Sequence, residues 1–120
     1  MSDITTNDDI TKFMEHFYDR LLRDPIAAPV FADIDMQAHM PRVVAFWAGI
    51  AFGGNQFQGS PFERHVPLDL TSEHFSIWYE TFCACLDDLF EGPTAVMVKE
   101  RARWIAFIFS HKLGLAPPAI

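Results

Sequence analysis

Apolar residues recur at helical spacing through most of the chain, so the pattern predicts helices rather than strands. In the first segment they fall at alternating intervals of three and four from Ile10 to Leu22, which makes one continuous apolar stripe. Thr6 and the acidic residues after it are typical of a helix start. Asp24-Pro25 is expected to end this helix, and the stretch from Pro25 to Pro29 allows a short turn or a single helical turn.

The second helix is predicted from about Met36 to Phe52, with Asp35 as its cap. Pro41 either kinks this helix or marks its first turn, because proline has no backbone N–H to donate. A connector rich in glycine and proline follows, from Gly53 to Leu70, and Pro67 argues against a strand within it. A connector of this length is unusual in a small helical bundle, which suggests that it has a function or is disordered.

Two more helices complete the pattern. The third is predicted to begin near Thr71 or Ser72 and to stop at Gly92-Pro93, where the fourth begins; Gly114 closes the fourth. We therefore predict an all-α fold and a single domain over residues 1–120, in which residues 1–7 and 115–120 are loose ends.

Composition and charge narrow the class of protein. The chain has 120 residues, half of them apolar and 12 of them Phe, which is enough for a core and for a pocket that holds a large flat ligand. A formal net charge of −7 with scattered basic residues argues against nucleic acid and against an anionic membrane surface. The N-terminus is polar and no apolar stretch approaches the ~20 residues of a membrane helix. A cytoplasmic protein is expected.

The cysteines do not indicate a structural bridge or a zinc site. Cys83 and Cys85 are two residues apart, so on a helix they point to different faces, which makes a disulfide between them implausible. No cysteine and histidine spacing suits zinc. We expect buried free thiols.

Four polar residues are candidates for chemistry. His65 lies in the connector, where it is either a solvated loop histidine or a metal ligand presented by an irregular segment. Tyr18 belongs to the stripe of the first helix, where it is either a rim tyrosine or a buried hydroxyl that needs a partner. Trp78 is either core packing or a donor, and His39 is either a surface or capping histidine or part of the same site.

Taken together, these residues fit a single cofactor-binding site. His65 would ligate the metal of a flat apolar cofactor from one side. On the other side Tyr18, Trp78 and His39 would face a small ligand that carries partial negative charge. The apolar walls would come from Phe31, Phe46, Trp47 and Phe75, and Arg64 could pair with a carboxylate of the cofactor.

In the order and spacing of several segments, the chain resembles a truncated haemoglobin of group III, in the bacterial globin-like family. The match runs from about Phe13 to Leu113. The segments that carry it are Phe17-Tyr18, Asp24-Pro25-Ile26-Ala27-Ala28-Pro29-Val30-Phe31, His39-Met40-Pro41-Arg42-Val43-Val44-Ala45-Phe46-Trp47, Gly59-Ser60-Pro61, His65-Val66-Pro67-Leu68 and His74-Phe75-Ser76-Ile77-Trp78.

The resemblance implies a shortened globin fold, two helices packed over two, that binds haem b. It implies that His65 is the proximal iron ligand and that Tyr18, His39 and Trp78 are distal residues. Phe57 departs from the family pattern, in which Tyr is usual, so any role of that hydroxyl is absent. The expected haem contacts are Phe31, Val43, Phe46, Trp47, Phe57, Arg64, Leu70 and Phe75.

Binding of O2 or another small ligand (NO, CO or a small anion) at haem iron is therefore the leading hypothesis. Donors from Tyr18 and Trp78 would retain O2, which suits redox chemistry with nitric oxide or peroxide better than delivery. Such a peroxidase-like or nitric oxide dioxygenase activity needs an external reductase, because no flavin or nicotinamide motif is present. A haem-based ligand sensor or interaction module is the alternative. His39 could ligate iron, gate the pocket or point to solvent, and we expect a monomer.

Overall fold

The protein folds into four α-helices in a computed structural model that describes residues 1–53 and 69–120. In chain order they are α1 (Asn7–Leu21), α2 (Met36–Phe52), α3 (Ser72–Leu89) and α4 (Pro93–Lys112), and a short 3-10 helix covers Ala28–Phe31. No strand occurs in the two described ranges, so the all-α prediction is confirmed. No helix among the described residues is long and apolar enough to cross a membrane.

Polar side chains fix the helix starts close to where the sequence predicts them. Thr6 caps α1: its hydroxyl accepts the Asp9 N–H at 3.2 Å, and the Asp9 carboxylate accepts the Thr6 N–H at 3.1 Å. Asp35 caps α2 by accepting the Gln37 N–H at 3.1 Å. Thr71 caps α3. Each cap pairs a backbone donor that the helix itself leaves unsatisfied.

Pro41 lies inside α2, which begins at Met36. The interpretation that Pro41 marks the first turn is therefore wrong. Its ring nitrogen has no hydrogen to donate to the Gln37 carbonyl, so the second turn of α2 lacks one backbone hydrogen bond. The Asp35 cap and the apolar residues that follow Pro41 hold the helix across this position.

The helices pack in two pairs: α1 contacts α2 and α3, and α4 contacts α2 and α3. Phe82 on α3 lies at the centre and is fully buried. Its ring centroid is 4.8 Å from that of Phe13, 5.5 Å from that of Phe17 and 4.7 Å from that of Trp47. The core thus joins α1, α2 and α3 through aromatic contacts, which prefer such tilted and edge-to-face arrangements.

Two side chains differ from the predicted burial. Leu22 is exposed because α1 ends at Leu21, so the next side chain leaves the apolar stripe. Both cysteines are free thiols, but Cys85 is buried whereas Cys83 is only half-buried. Burial raises the pKa of both thiols, which favours the protonated form.

The C-terminal segment contacts the helices, whereas the sequence led us to expect a loose end. The Leu115 N–H donates to the Ser110 carbonyl at 2.9 Å. The Ser72 hydroxyl donates to the Ala116 carbonyl at 2.6 Å. The Arg103 guanidinium donates to the Ile120 carbonyl oxygen at 3.0 Å. These contacts join the tail to both α3 and α4, and the partners in the last two bonds are 44 and 17 residues apart, too distant for a local pattern to indicate them.

The N-terminal segment is also held, because Asp3 serves as the cap of α4. Its carboxylate accepts the N–H groups of Thr94 and Ala95, each at 2.9 Å. Gly92 precedes the helix with a φ of +138°, and a Cβ there would lie 2.6 Å from Cγ of Asp3. Burial tends to raise the pKa of Asp3, but these bonds and one from the Ile4 N–H lower it below the usual value. The start of α4 therefore depends on a side chain from the opposite end of the sequence.

We expect Asp3→Ala to lower the free energy of unfolding by about 1–2 kcal/mol at neutral pH, the usual effect of removing a helix cap. The lowered pKa means that the stabilisation is present above the unfolded value of 3.8 and is lost as the pH falls through the folded value. The difference in the free energy of unfolding between the two proteins should therefore become smaller as the pH is lowered from 7 to below about 4, which denaturant unfolding measures. Glu100→Ala removes an exposed carboxylate from α4 and serves as the control; an equal loss in that variant would contradict the capping role.

Candidate functional site

A cavity of about 630 Å³ lies among α1, the 3-10 helix, α2, α3 and α4. Its volume lies within the ~300–1,000 Å³ typical of cofactor sites, and most of its lining is apolar. The structure brings together at this cavity the predicted wall residues that it describes: Phe31, Val43, Phe46, Trp47, Leu70 and Phe75.

Three predicted site residues lie outside the described residues. They are Phe57, Arg64 and His65, all from the connector. Their roles as haem contacts and as the proximal ligand stay predictions.

Tyr18 and His39 meet in this cavity. The Tyr18 side chain is 6% exposed, and its Oη lies 3.0 Å from Nε2 of His39, which is a hydrogen bond between α1 and α2. The Phe31 ring contacts the Tyr18 ring edge to face, with centroids 5.8 Å apart. The buried hydroxyl that the sequence left without a partner therefore pairs with His39, and this bond directs the His39 ring at Tyr18.

Trp78 reaches the same cavity from α3. Its ring centroid is 6.2 Å from that of Phe17, 6.3 Å from that of Trp47 and 5.3 Å from that of Phe82. These contacts fix the indole between the core and the cavity. Packing does not exclude a role as donor for Trp78. The ring contacts use its apolar surface, and the indole N–H is the hydrogen-bonding group of this side chain.

The helix caps determine where these groups stand. The His39 N–H donates to the Asp35 carbonyl at 2.9 Å, so the imidazole projects from the first full turn after the cap. Trp78 lies two turns after the Thr71 cap, and Tyr18 lies in the last turn of α1. Three polar side chains from three helices thereby converge on one apolar cavity.

Burial strongly raises the pKa of Tyr18 above its ordinary value of 10.0, because the phenolate would lose its hydration in this apolar environment. The phenol therefore stays neutral at physiological pH and keeps its proton. A neutral phenol in a dry cavity can donate that proton in a hydrogen bond, which an ionised one cannot.

Sequence reasoning missed several lining residues. Ile105 and Phe109 of α4 face the cavity, and their spacing of four on the predicted apolar side was the signal that could have indicated them. Arg42, one turn after Ala38 on α2, also lines it, as does His74 on α3. The sequence around His74 contains no signal that distinguishes it from a surface histidine.

Comparisons with known proteins identify the family of the chain. The model of the bacterial-like globin family matches residues 2–108. The group 3 truncated hemoglobin of Campylobacter jejuni is 29% identical over 111 residues, which cover 87% of this chain and 87% of that protein. A group 1 truncated hemoglobin of Nostoc commune is 36% identical over 67 residues, which are 55% of this chain and 57% of that protein.

The crystal structure of the group III truncated hemoglobin from Campylobacter jejuni has the same fold. It matches with a TM-score of 0.84 and 27% identity, covering 94% of this chain and 95% of that one. The chain belongs to the bacterial-like globin family, and the resemblance to group III truncated haemoglobins is confirmed. Membership of a globin family implies that the chain binds haem and a small ligand.

Alkaline titration tests the burial of the phenol. The chain has two tyrosines; the pKa of Tyr18 is raised by burial, and that of Tyr79 is raised to about 12 by burial and by a hydrogen bond with Cys83. The phenolate absorbance should therefore not rise near pH 10 while the protein is folded.

Because both folded values lie above the unfolded value of 10.0, the stability that the neutral phenols provide is present below pH 10 and decreases as the pH rises above it. Tyr18→Phe should lessen this decrease. Absorbance titration beside circular dichroism measures both effects, and a tyrosine that ionises at pH 10 in the variant Tyr79→Phe would show that Tyr18 is open to water.

Proposed function

We propose that this protein holds haem b in the cavity, with His65 as the iron ligand on one side and Tyr18, His39 and Trp78 around a small diatomic ligand on the other. The observation that carries the proposal is the bond of 3.0 Å between Tyr18 Oη and His39 Nε2 inside an apolar cavity of about 630 Å³. Such a pair places hydrogen-bond donors in an apolar environment, where they act more strongly on a polar ligand than in water.

The chemistry of the cavity fits the cofactor. Aromatic and aliphatic side chains such as Phe46, Val43 and Phe75 supply apolar walls for a porphyrin ring, and the polar groups are few. When bound, haem supplies an iron that can hold a diatomic ligand and exchange electrons with it. The chain's own part is to exclude water, to orient the ligand and to provide protons for hydrogen bonds.

The direction of the hydrogen bond between Tyr18 and His39 decides what Tyr18 can do. A phenol has one proton. If the Tyr18 hydroxyl donates to Nε2 of His39, that proton is used within the pair. If instead His39 carries hydrogen on Nε2 and donates to Tyr18 Oη, the phenol proton is available to a ligand in the cavity. We propose that the second arrangement holds in the ligand-bound protein, where His39 orients Tyr18.

Two donors, Tyr18 and Trp78, would slow the departure of a ligand with partial negative charge. Slow release suits chemistry on the ligand better than its delivery, so we propose a redox function toward nitric oxide or peroxide. The sequence contains no flavin or nicotinamide motif, so the electrons would come from a separate reductase.

The first test is the role of His65. Wild-type protein mixed with haem should develop an intense Soret band, and His65→Ala should lose most of it because no other connector residue replaces the imidazole. Added imidazole should restore the band by binding in the space that the side chain leaves. His111→Ala is the matched control, since it removes an exposed histidine from the last turn of α4 that does not line the cavity. Failure of the wild type to take up haem would overturn the proposed function.

The second test addresses the distal donors. Tyr18→Phe and Trp78→Phe should each increase the O2 dissociation rate by roughly three- to tenfold, the worth of one hydrogen bond. Stopped-flow displacement of O2 by CO measures this rate.

Matched controls exist for both donors. Tyr79→Phe removes the other tyrosine hydroxyl, and Trp104→Phe removes an indole that is 63% exposed on α4. Neither residue lines the cavity, so both variants should release O2 at the wild-type rate. Rates in Tyr18→Phe and Trp78→Phe that equal those of their controls would remove both residues from the distal role.

A further inference from the structure

His74 takes part in the cap of α3, where its ring replaces the carboxylate that is usual at this position. The Thr71 N–H donates to Nδ1 of His74 at 3.0 Å, and the Thr71 hydroxyl lies 3.2 Å from the same nitrogen. In return, the His74 N–H donates to the Thr71 hydroxyl at 3.4 Å. This is a capping box, a reciprocal arrangement in which the third helical residue is commonly Glu or Gln.

The cap fixes which nitrogen of His74 carries hydrogen. A backbone N–H can only donate, so Nδ1 must offer a lone pair to Thr71. In the neutral ring the hydrogen is then on Nε2. That nitrogen is a donor and has no lone pair for a metal. A shift of the hydrogen to Nδ1 would leave the Thr71 N–H without its acceptor, so the cap stabilises the donor form.

His74 also lines the cavity, and its side chain is half-buried. It lies four residues before Trp78, so the two side chains share a face of α3 about 6 Å apart. Trp78 packs against the buried Phe82, whereas His74 follows the exposed Thr71 at the helix start and is itself half-buried. With Nδ1 held by the cap, Nε2–H is the polar atom that His74 has left for a ligand.

We propose that His74 binds a carboxylate group of the haem through Nε2–H. The inference rests on the proposed function, and it assigns a contact that the sequence did not indicate. Haem b is apolar except at its carboxylates, which remain near water, and a half-buried donor that lines the cavity suits such a group. Arg64 was predicted to pair with a carboxylate, and haem has two, so the two residues need not compete.

The capping box supplies matched variants that separate the two roles of His74. Glu at this position keeps the cap, because its carboxylate also accepts the Thr71 N–H, but it offers no donor and repels a carboxylate. Gln keeps the cap through its carbonyl and retains an N–H donor. Leu removes both. His74→Glu is thus the informative variant and His74→Gln its control.

The cofactor can be varied in parallel. Each protein is loaded with haem or with haem dimethyl ester, whose carboxylates are blocked, and release to an excess of a haem-scavenging apoprotein is followed by absorbance. His74→Glu should release haem about tenfold faster than wild type or more, the range for a hydrogen bond to a charged group. Its release of the dimethyl ester should match that of the wild type, and His74→Gln should stay close to wild type with both.

The outcomes distinguish the two proposals. Equal acceleration of both cofactors in His74→Glu, or of neither, would overturn the role of His74 while haem binding stands. A lower unfolding temperature of the haem-free His74→Glu protein would point to the cap and also count against the contact with carboxylate. A wild type that takes up neither cofactor would overturn the proposed function and this inference with it.

Discussion

The packing of Phe82 connects the stability of the fold to the shape of the cavity. Its ring contacts Phe13 and Phe17 in the core, and on its other side it contacts Trp47 and Trp78, which line the cavity. Since protein interiors are close-packed, a movement of either tryptophan requires movement in the core. The part of the cavity wall that Trp47 and Trp78 form is therefore held by the core behind it.

Polar contacts at the helix starts set the positions of the groups inside this apolar cavity. Thr6, Asp35 and Thr71 cap the helices that carry Tyr18, His39 and Trp78. A cap fixes where the helix begins, and the helical repeat then fixes the face on which each later residue lies. The positions of the site's side chains thus depend largely on bonds at the helix starts. Asp35 and His74 are exceptions, because each of these side chains takes part in a helix cap and also lines the cavity.

Features that depend on local pattern could be predicted from the sequence. The helical repeat of apolar residues predicted the four helices, and the capping residues predicted where they begin. The aromatic residues on the apolar faces predicted most of the cavity walls. The pairing of Tyr18 with His39 could not be read this way, because it depends on how two helices cross. The hydrogen position on His74 follows from a cap in which histidine stands where glutamate is usual. The prediction for His65 came from its combination with Tyr18 and Trp78 and from the resemblance to a family, since a histidine in an irregular connector carries no periodic signal.

The cap that Asp3 provides for α4 has a consequence for the order of folding. Its carboxylate bonds to residues 91 and 92 positions away along the chain. Contacts of such sequence separation carry a high entropic cost of loop closure and form late. The helix that they complete supplies Ile105 and Phe109 to the cavity. The cavity can therefore close only after synthesis has passed Phe109, more than a hundred residues after the side chain that caps its last wall.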